Sequence, residues 1–371
     1  MTFEIPTVDQ LAESLGKYGE ESDWAFDVLC SRRHAGVIFR GDRRQSDVHI
    51  HTREGSYNSQ DWTTRRVVWE GFHHNCDVVG TVDFDCLGSM DSGWEDALQL
   101  GQKVVSSFET RVFLPEFADL TINSPGEPGV AYMMVAGCSA GPEVEAALKP
   151  FGAIAHHRNH LVLTSLLEYL DLAGVVEYQD VLDLKVGGIP TERHIIRAVI
   201  NGVDDYFGIM NTRKIAEFWQ SKLIGNPIVS DGGVNPDDVR KLVKVGGPAY
   251  VPIDPNNFAT LDGLKALADA TGGLLTYCIL DGQSPFEADA SLMFERCQAL
   301  DVEAFNFIFW RMPTAPEAKP WADGVIDCAY REGWPCFGGS EMNSAGQVPF
   351  GPAKQFTFEY TRLEDGADIL Y

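Results

Sequence analysis

The chain has 371 residues, 44% of them hydrophobic, and sets 29 Lys and Arg against 54 Asp and Glu, a formal net charge of -25 at pH 7. Mean hydropathy is -0.12 and the pI lies near 4.6. That length fills one large domain or two ordinary ones, and so negative a field repels a polyanion; nucleic acid is excluded as a bulk partner, while a small phosphorylated substrate stays open to local cations.

The opening M-T-F-E-I-P-T-V-D-Q has neither a basic nor an apolar targeting region, and no uninterrupted apolar run has the length of a bilayer span. A cytoplasmic location without a membrane partner is expected. Eight Cys form no C-x-x-C pair, so they are expected to be reduced, small core residues. Residues 1–45 are read as an N-terminal helical extension.

The run Ser46 to Thr52, S-D-V-H-I-H-T, contains Asp47, His49 and His51. In a strand, residues i and i+2 share a face, so two imidazoles aim at one point and supply the first pair of ligands for a first-row metal. The polar, turn-like T-R-E-G-S-Y-N-S that follows puts the pair at the C-terminal end of the strand, where a βα barrel carries its active site. Val78 to Cys86, V-V-G-T-V-D-F-D-C, is a second apolar strand, ending in Asp83 and Asp85, which are candidates to orient a His or accept a proton. A third strand, from G-Q-K-V-V into Ser107 to Arg111, brings Glu109. Asn123 to Gly129, N-S-P-G-E-P-G, is a loop that serves as an ordinary connection or as a lid.

Strands alternating with helical patterns predict βα units and a parallel sheet, with Gly129 to Val135 among the strands. Residues 141–247 break that rhythm. Leu161 to Leu172, Thr191 to Ile200 and Thr212 to Leu223 have helical spacing, which predicts an inserted helical subdomain. It carries the cations that a phosphate needs, Arg158, Arg193 and His194, with a solvated helix face as the rival reading of Arg158 and helix capping as that of Thr191 to His194. Strands resume at Gly273 to Ile279 and Ala304 to Phe309; the aromatic Phe305 to Trp310 is read as buried strand with no chemical role. Finally G-G-S-E-M-N-S, Gly338 to Ser344, offers Glu341 and Asn343 in an i, i+2 relation. All nine His lie at or before position 194, so the C-terminal half supplies no imidazole.

Taken in order, D-V-H-I-H-T, V-D-F-D, F-E-T and G-S-E-M-N resemble the D-x-H-x-H-[ST], T-D-H-D, metal-binding Glu and G-S-D-x-H segments of the PHP family, the polymerase and histidinol phosphatase phosphoesterases. The stretch T-E-R-H-I-I-R-A-V-I, a helix and G-G-P-A-Y-V-P is similar to the inserted helical domain of the nucleotide-phosphatase branch, so the resemblance runs from about Asp47 to the C-terminus. It implies an α/β fold, a distorted (β/α)7 TIM-like barrel built from residues 46–140 and 248–371, with two or three metal ions. Several family imidazoles are replaced here: Phe84 stands in the second motif, Met133 after the third, Tyr277 or Cys278 in a later strand, and Glu341-Met342-Asn343 at the end. What remains implies one or two divalent ions, Mn, Fe or Zn, held by His49, His51, Glu109 and Glu341, with Asp83 or Asp85 moving protons and Arg158, Arg193, His194 and Asn343 meeting a substrate.

The expected function is a metal-dependent hydrolase, a phosphoesterase acting on a small phosphorylated metabolite through metal-activated water. Two alternatives are a catalytically reduced PHP-like protein that binds a small metabolite and a metal-assisted enzyme of sugars or sugar acids. The oligomeric state is left open.

Overall fold

The computed structural model describes residues 6–17, 19–35, 45–53, 55–56, 59, 61–89, 93–225, 233–309, 311–312, 318–342 and 347. The first elements are helices, α1 (Val8–Ser14) and α2 (Glu20–His34). Thr7 starts the first of them by a reciprocal cap: its hydroxyl accepts the Gln10 N–H, and Gln10 Oε1 accepts the Thr7 N–H. There follow β1 (Gln45–Ile50), α3 (Thr64–His73), β2 (Cys76–Phe84), α4 (Trp94–Leu100), β3 (Lys103–Phe113) and β4 (Val130–Ala136). Five helices come next, α5 (Val144–Leu170), α6 (Tyr178–Asp183), α7 (Glu192–Phe207), α8 (Thr212–Lys222) and α9 (Pro236–Arg240). The chain then runs through α10 (Leu261–Thr271), β5 (Leu274–Ile279), α11 (Ala290–Ala299), β6 (Ala304–Ile308), α12 (Ala318–Arg331) and β7 (Cys336–Gly339).

The seven strands form one sheet in chain order, and its two edges meet where Ile50 bridges Met342 and the His51 N–H donates to the Met342 carbonyl at 3.0 Å. The result is a nearly closed barrel with helices around it, as expected for a TIM-like α/β fold. One expectation is corrected: β4 runs antiparallel to both β3 and β5, although every other pair is parallel. The 16 residues from 114 to 129 contain two Pro and two Gly of N-S-P-G-E-P-G and no α-helix, only a short turn at Pro115–Phe117. A parallel return needs a crossover of a dozen or more residues that covers the full length of the strand, usually as a helix. Without one the chain turns back as a hairpin, and the helix after β4 carries the chain up to the end of β2 and into the insertion. That helix is α5, whose 27 residues span about 40 Å at 1.5 Å per residue.

Alternation along the strands fills the barrel in layers. Val48, Val78, Val105, Ala136, Ala304 and Phe337, with Leu274 beside them, draw one residue from each of the seven strands and close its floor. Val82, Met134, Cys278 and Ile308, with Tyr132, form a smaller layer. Outside, α1 to α4 cover β1 and β2 with Leu11, Phe26, Leu29, Val68, Trp69 and their neighbours. The other helices of the barrel cover the remaining strands. A separate buried cluster, from Leu163 and Leu166 through Ile195, Val199 and Trp219 to Leu242, lies wholly within residues 163–249. The start of α5 belongs to the barrel instead, through Phe151.

The approach of β7 to β1 has a strict steric condition. A Cβ at Gly339 would lie 2.3 Å from the His49 amide nitrogen and 2.4 Å from the His49 Cβ. Backbone on both sides leaves no flexible end to move. Gly339→Ala is therefore expected to destabilise the chain by about 1–3 kcal/mol or more, the usual cost of overpacking, seen as a lower midpoint in urea.

Candidate metal centre

His49 and His51 lie at the C-terminal end of β1, where the pairing with β2 is irregular between Asp47 and Ile50. Asp47 fixes this turn of backbone: its Oδ1 accepts the Ser340 N–H at 2.9 Å and the His49 N–H at 3.4 Å. Both imidazoles are fully buried. His49 Nδ1 donates to Asn306 Oδ1 at 2.7 Å, and His51 Nδ1 donates to the Val82 carbonyl at 2.8 Å. A carbonyl oxygen only accepts, so each ring carries its proton on Nδ1 and turns the lone pair of Nε2 the other way.

Those lone pairs meet Glu109, from the inward face of β3. Its Oε2 lies 4.0 Å from His49 Nε2 and 3.8 Å from His51 Nε2, while Oε1 accepts the Cys278 thiol at 3.7 Å. Among the described residues, none of the three converging atoms has a hydrogen-bond partner. Leaving a buried polar atom unmatched costs about 1–3 kcal/mol. Three such atoms facing one point are what a cation satisfies. The three atoms lie within 4.8 Å of one another, close enough to converge on one ion with bonds of about 2.1 Å after a small adjustment of the side chains. A carboxylate or carbonyl behind each imidazole is also how metal-ligating His is usually held.

The electrostatics agree. Burial holds His49 and His51 below the ordinary imidazole value, His51 far below it, so both are neutral and able to ligate at neutral pH. Burial, reinforced by the nearby Glu341 charge, pushes the Glu109 carboxyl well above its usual range. A protonated Glu109 between two neutral rings is the state without an ion, and a divalent cation displaces that proton.

The other predicted residues fall out differently. Asp83 faces away from this centre: Thr52 Oγ1 donates to its Oδ1 at 3.0 Å, and the Ser89 N–H and hydroxyl donate to its Oδ2 at 2.8 and 2.7 Å. Expected to orient a His or accept a proton, Asp83 here holds the Thr52 and Ser89 loops together. Asp85 accepts from Thr110 Oγ1 at 2.6 Å and pairs with Arg158 at 3.3 Å, which brings α5 to the end of β2. Of the three predicted cations of the insertion, Arg158 is the one paired with a predicted acid of the barrel. Arg193 instead pairs with Asp237 of α9. His194 completes the cap of α7, its Nδ1 accepting the Thr191 N–H at 2.9 Å, and burial pushes its pKa down to about 4. The capping reading prevails because a neutral imidazole takes the place of the missing Glu or Gln. Glu341 makes a two-point pair with Arg311, at 2.6 and 3.0 Å, and is not within the cluster of three. Asn343 lies outside the described residues.

The replaced imidazoles are accounted for one by one. Phe84 stacks on the His51 ring at 4.5 Å and meets Tyr132 edge-on. On β4 the residues toward the barrel interior are Tyr132 and Met134, while Met133 packs into the outer core. On β5 Cys278 faces Glu109, and Tyr277 points outward to donate to Glu287. Asn306 was missed in the sequence. Its signal is a lone amide at an inward position of an otherwise apolar strand, F-N-F-I-F. Asn306→Ala is expected to weaken metal binding about 10–100-fold, the usual cost of removing a partner that orients a ligand, as read by competitive titration with a chromogenic chelator.

A second cluster, Glu70, His73 and His74 at the end of α3, is more exposed, and Glu70 already stands beside Arg66. It lacks the buried, unmatched atoms of the first.

Asp85 and Glu341 share one further property. Both have left-handed backbone, φ 58° and 53°. Such a conformation costs an ordinary residue about 1–3 kcal/mol, and strain of this kind clusters at functional sites. A partly exposed ion pair contributes only about 0–1 kcal/mol.

No protein-family model matches the chain, and no curated protein does. Solved structures do match. An amidohydrolase from Chromobacterium violaceum, with sulfate bound and no metal, has a TM-score of 0.52 and 16% sequence identity over 86% of this chain and 96% of that one. A protein of Bifidobacterium adolescentis titled "putative metal-dependent phosphoesterase" has a TM-score of 0.56 and 16% identity over 90% and 96%. At such identity the likeness is one of fold.

Proposed function

We propose that the chain is a metal-dependent hydrolase, a phosphoesterase of the PHP type that acts on a small phosphorylated metabolite. The observation that carries this reading is the convergence of His49 Nε2, His51 Nε2 and Glu109 Oε2, buried and unmatched among the described residues. The similar folds include proteins titled amidohydrolase and metal-dependent phosphoesterase, and one of them has sulfate bound, which supports an anionic substrate.

In this reading His49, His51 and Glu109 hold one divalent ion, Mn, Fe or Zn. A bound ion of this kind lowers the pKa of water and polarises the bond to be cleaved. Asn306 and the Val82 carbonyl keep both rings in the ligating tautomer. Asp85 and Thr110 hold Arg158 where it meets a substrate phosphate. Glu341 would ligate only by leaving Arg311, so one ion is assigned rather than two. The division into an N-terminal extension at 1–45, a barrel at 46–140 and 248–371, and a helical subdomain at 141–247 belongs to the same reading, with α5 shared between the last two. No described helix is long and apolar enough to cross a membrane.

A second reading, a catalytically reduced metabolite binder, is favoured by one observation: Phe84 lies flat on His51 where the resemblance implies an imidazole. Hydrolysis decides between them. The full chain with added manganese is assayed on phosphomonoesters, cyclic phosphodiesters and sugar phosphates. The proposal expects turnover of at least one class, lost on chelation; metal-loaded protein inert on all three contradicts it and leaves the second reading.

A further inference from the structure

The Arg311 guanidinium was not among the residues that the sequence singled out. Arg311 follows β6, in a turn where its N–H donates to the Ile308 carbonyl at 3.1 Å. Its side chain is 46% exposed, while His49, His51 and Glu109 are almost completely buried. It is held by Glu341, which lies between Ser340, whose N–H donates to Asp47 Oδ1 at 2.9 Å, and Met342, whose carbonyl accepts the His51 N–H at 3.0 Å. It therefore stands beside the centre and on its solvent side.

Glu341 holds it there. Nε donates to Oε2 and Nη2 to Oε1, the fork of an Arg–carboxylate pair. A guanidinium has five N–H groups, and this pair uses two of them. Nη1 bonds to no described residue. The left-handed backbone of Glu341, φ 53°, is a conformation of the kind that clusters at functional sites. The centre itself offers two neutral imidazoles and one carboxylate, enough for one ion. A phosphomonoester carries about two negative charges near neutral pH, and one divalent ion that already shares the Glu109 carboxylate leaves part of that charge for a second cation to meet.

We propose that Arg311, anchored by Glu341, binds a phosphate oxygen of the substrate and supplies the positive charge that a second metal ion supplies in a dinuclear site. This rests on the phosphoesterase reading above. Arg158, paired with Asp85, is the cation from the insertion; Arg311 belongs to the barrel and acts next to the ion. Glu341 is then a positioning residue that also moderates the charge. Removing its charge, with the carboxamide left to hold the guanidinium, strengthens the attraction for an anion.

The test uses the full chain, inorganic phosphate and manganese. Metal content is measured by elemental analysis and phosphate binding by calorimetry for wild type, Arg311→Met, Arg311→Lys, Glu341→Gln and the double variant Arg311→Met with Glu341→Gln. The double variant leaves no unpaired buried carboxylate and guards against a folding defect. Expected are unchanged manganese in all, phosphate binding weakened roughly 10–100-fold in both Met variants, partial retention in Lys, which keeps the charge but not the fork, and tighter binding in Glu341→Gln. Phosphate bound by the Met variants within twofold of wild type overturns the proposal. So does a wild type that binds no phosphate, or a Glu341→Gln that loses manganese and phosphate together, since Glu341 is then a ligand. Should wild type take up no metal, the phosphoesterase reading fails, and the comparison of wild type with the Met variants still decides the role of Arg311.

Discussion

His49→Ala is expected to empty the metal centre: retention of manganese, iron or zinc falls by more than the about 10–100-fold that loss of an orienting partner brings. His51→Ala is expected to do the same. Each removes one of three ligand atoms at a point where no other described residue offers a substitute. Cys278 touches Glu109 from the far side, and Glu341 is engaged by Arg311. The loss is one of ligation and not of folding. A buried His→Ala leaves a void that lowers stability by an ordinary core amount, so the control is circular dichroism at the temperature of the metal measurement. His194→Ala sets the contrast. It removes a helix cap of α7, costs about 0.5–2 kcal/mol of stability, and leaves metal content unchanged. Equal metal loss in His194→Ala and His49→Ala would mean that metal retention follows stability and that the site lies elsewhere.

Glu109→Gln is expected to push metal-free and metal-loaded protein in opposite directions. Burial raises the folded-state pKa of Glu109 above its unfolded value. Such a group supports folding below the unfolded value and loses that support as pH rises through the folded value, because the unfolded chain ionises first. Near neutral pH the metal-free chain therefore bears the cost of burying this carboxyl, and a neutral amide of the same shape removes it. The midpoint of the metal-free variant is expected to rise by roughly 2–4 °C, the shift that 1 kcal/mol produces in a chain approaching this size. With metal the order reverses. Wild type gains about 2.7 kcal/mol at an ion concentration one hundred times its dissociation constant, and the variant gains none. The pH dependence has the same sign: metal affinity in wild type rises with pH as Glu109 loses its proton, since both imidazoles are already neutral. A variant that is less stable without metal and equally stabilised by it contradicts this electrostatic account.

The parts of this site that share a strand were legible in the sequence. His49 and His51 stand two apart on β1, and Glu109 lies on the inward side of a strand whose apolar neighbours mark its face. Alternation gives direction within a strand, so these three were placed. It gives nothing about the direction of the strand itself. The antiparallel course of β4 followed from the helix-free connection before it, which the strand pattern does not contain. Alternation with inward Val82 and Phe84 turns Asp83 to the outer face of β2, and Asp85 lies just past the strand end. Asp83 thus faces the Thr52 and Ser89 loops, and the left-handed backbone of Asp85 turns it toward Arg158.

Partners distant in sequence were the least legible. Asn306 meets His49 across 257 positions, and Arg311 meets Glu341 across 30. Both were hidden in segments dominated by aromatic residues, whose bulk points to packing first. In the insertion the partners are local. Arg193 and His194 follow a cap residue, and the local demand of the helix start claimed His194 before any substrate. Arg158 sits in the middle of a long helix with no such demand, and it reaches the barrel.

Elemental analysis of the purified full chain, after expression with added manganese, iron and zinc, bears most directly on the central claim. The geometry predicts about one equivalent of a divalent ion, present in wild type and absent from His49→Ala and Glu109→Gln. Less than about a tenth of an equivalent in wild type, or equal content in all three, contradicts it.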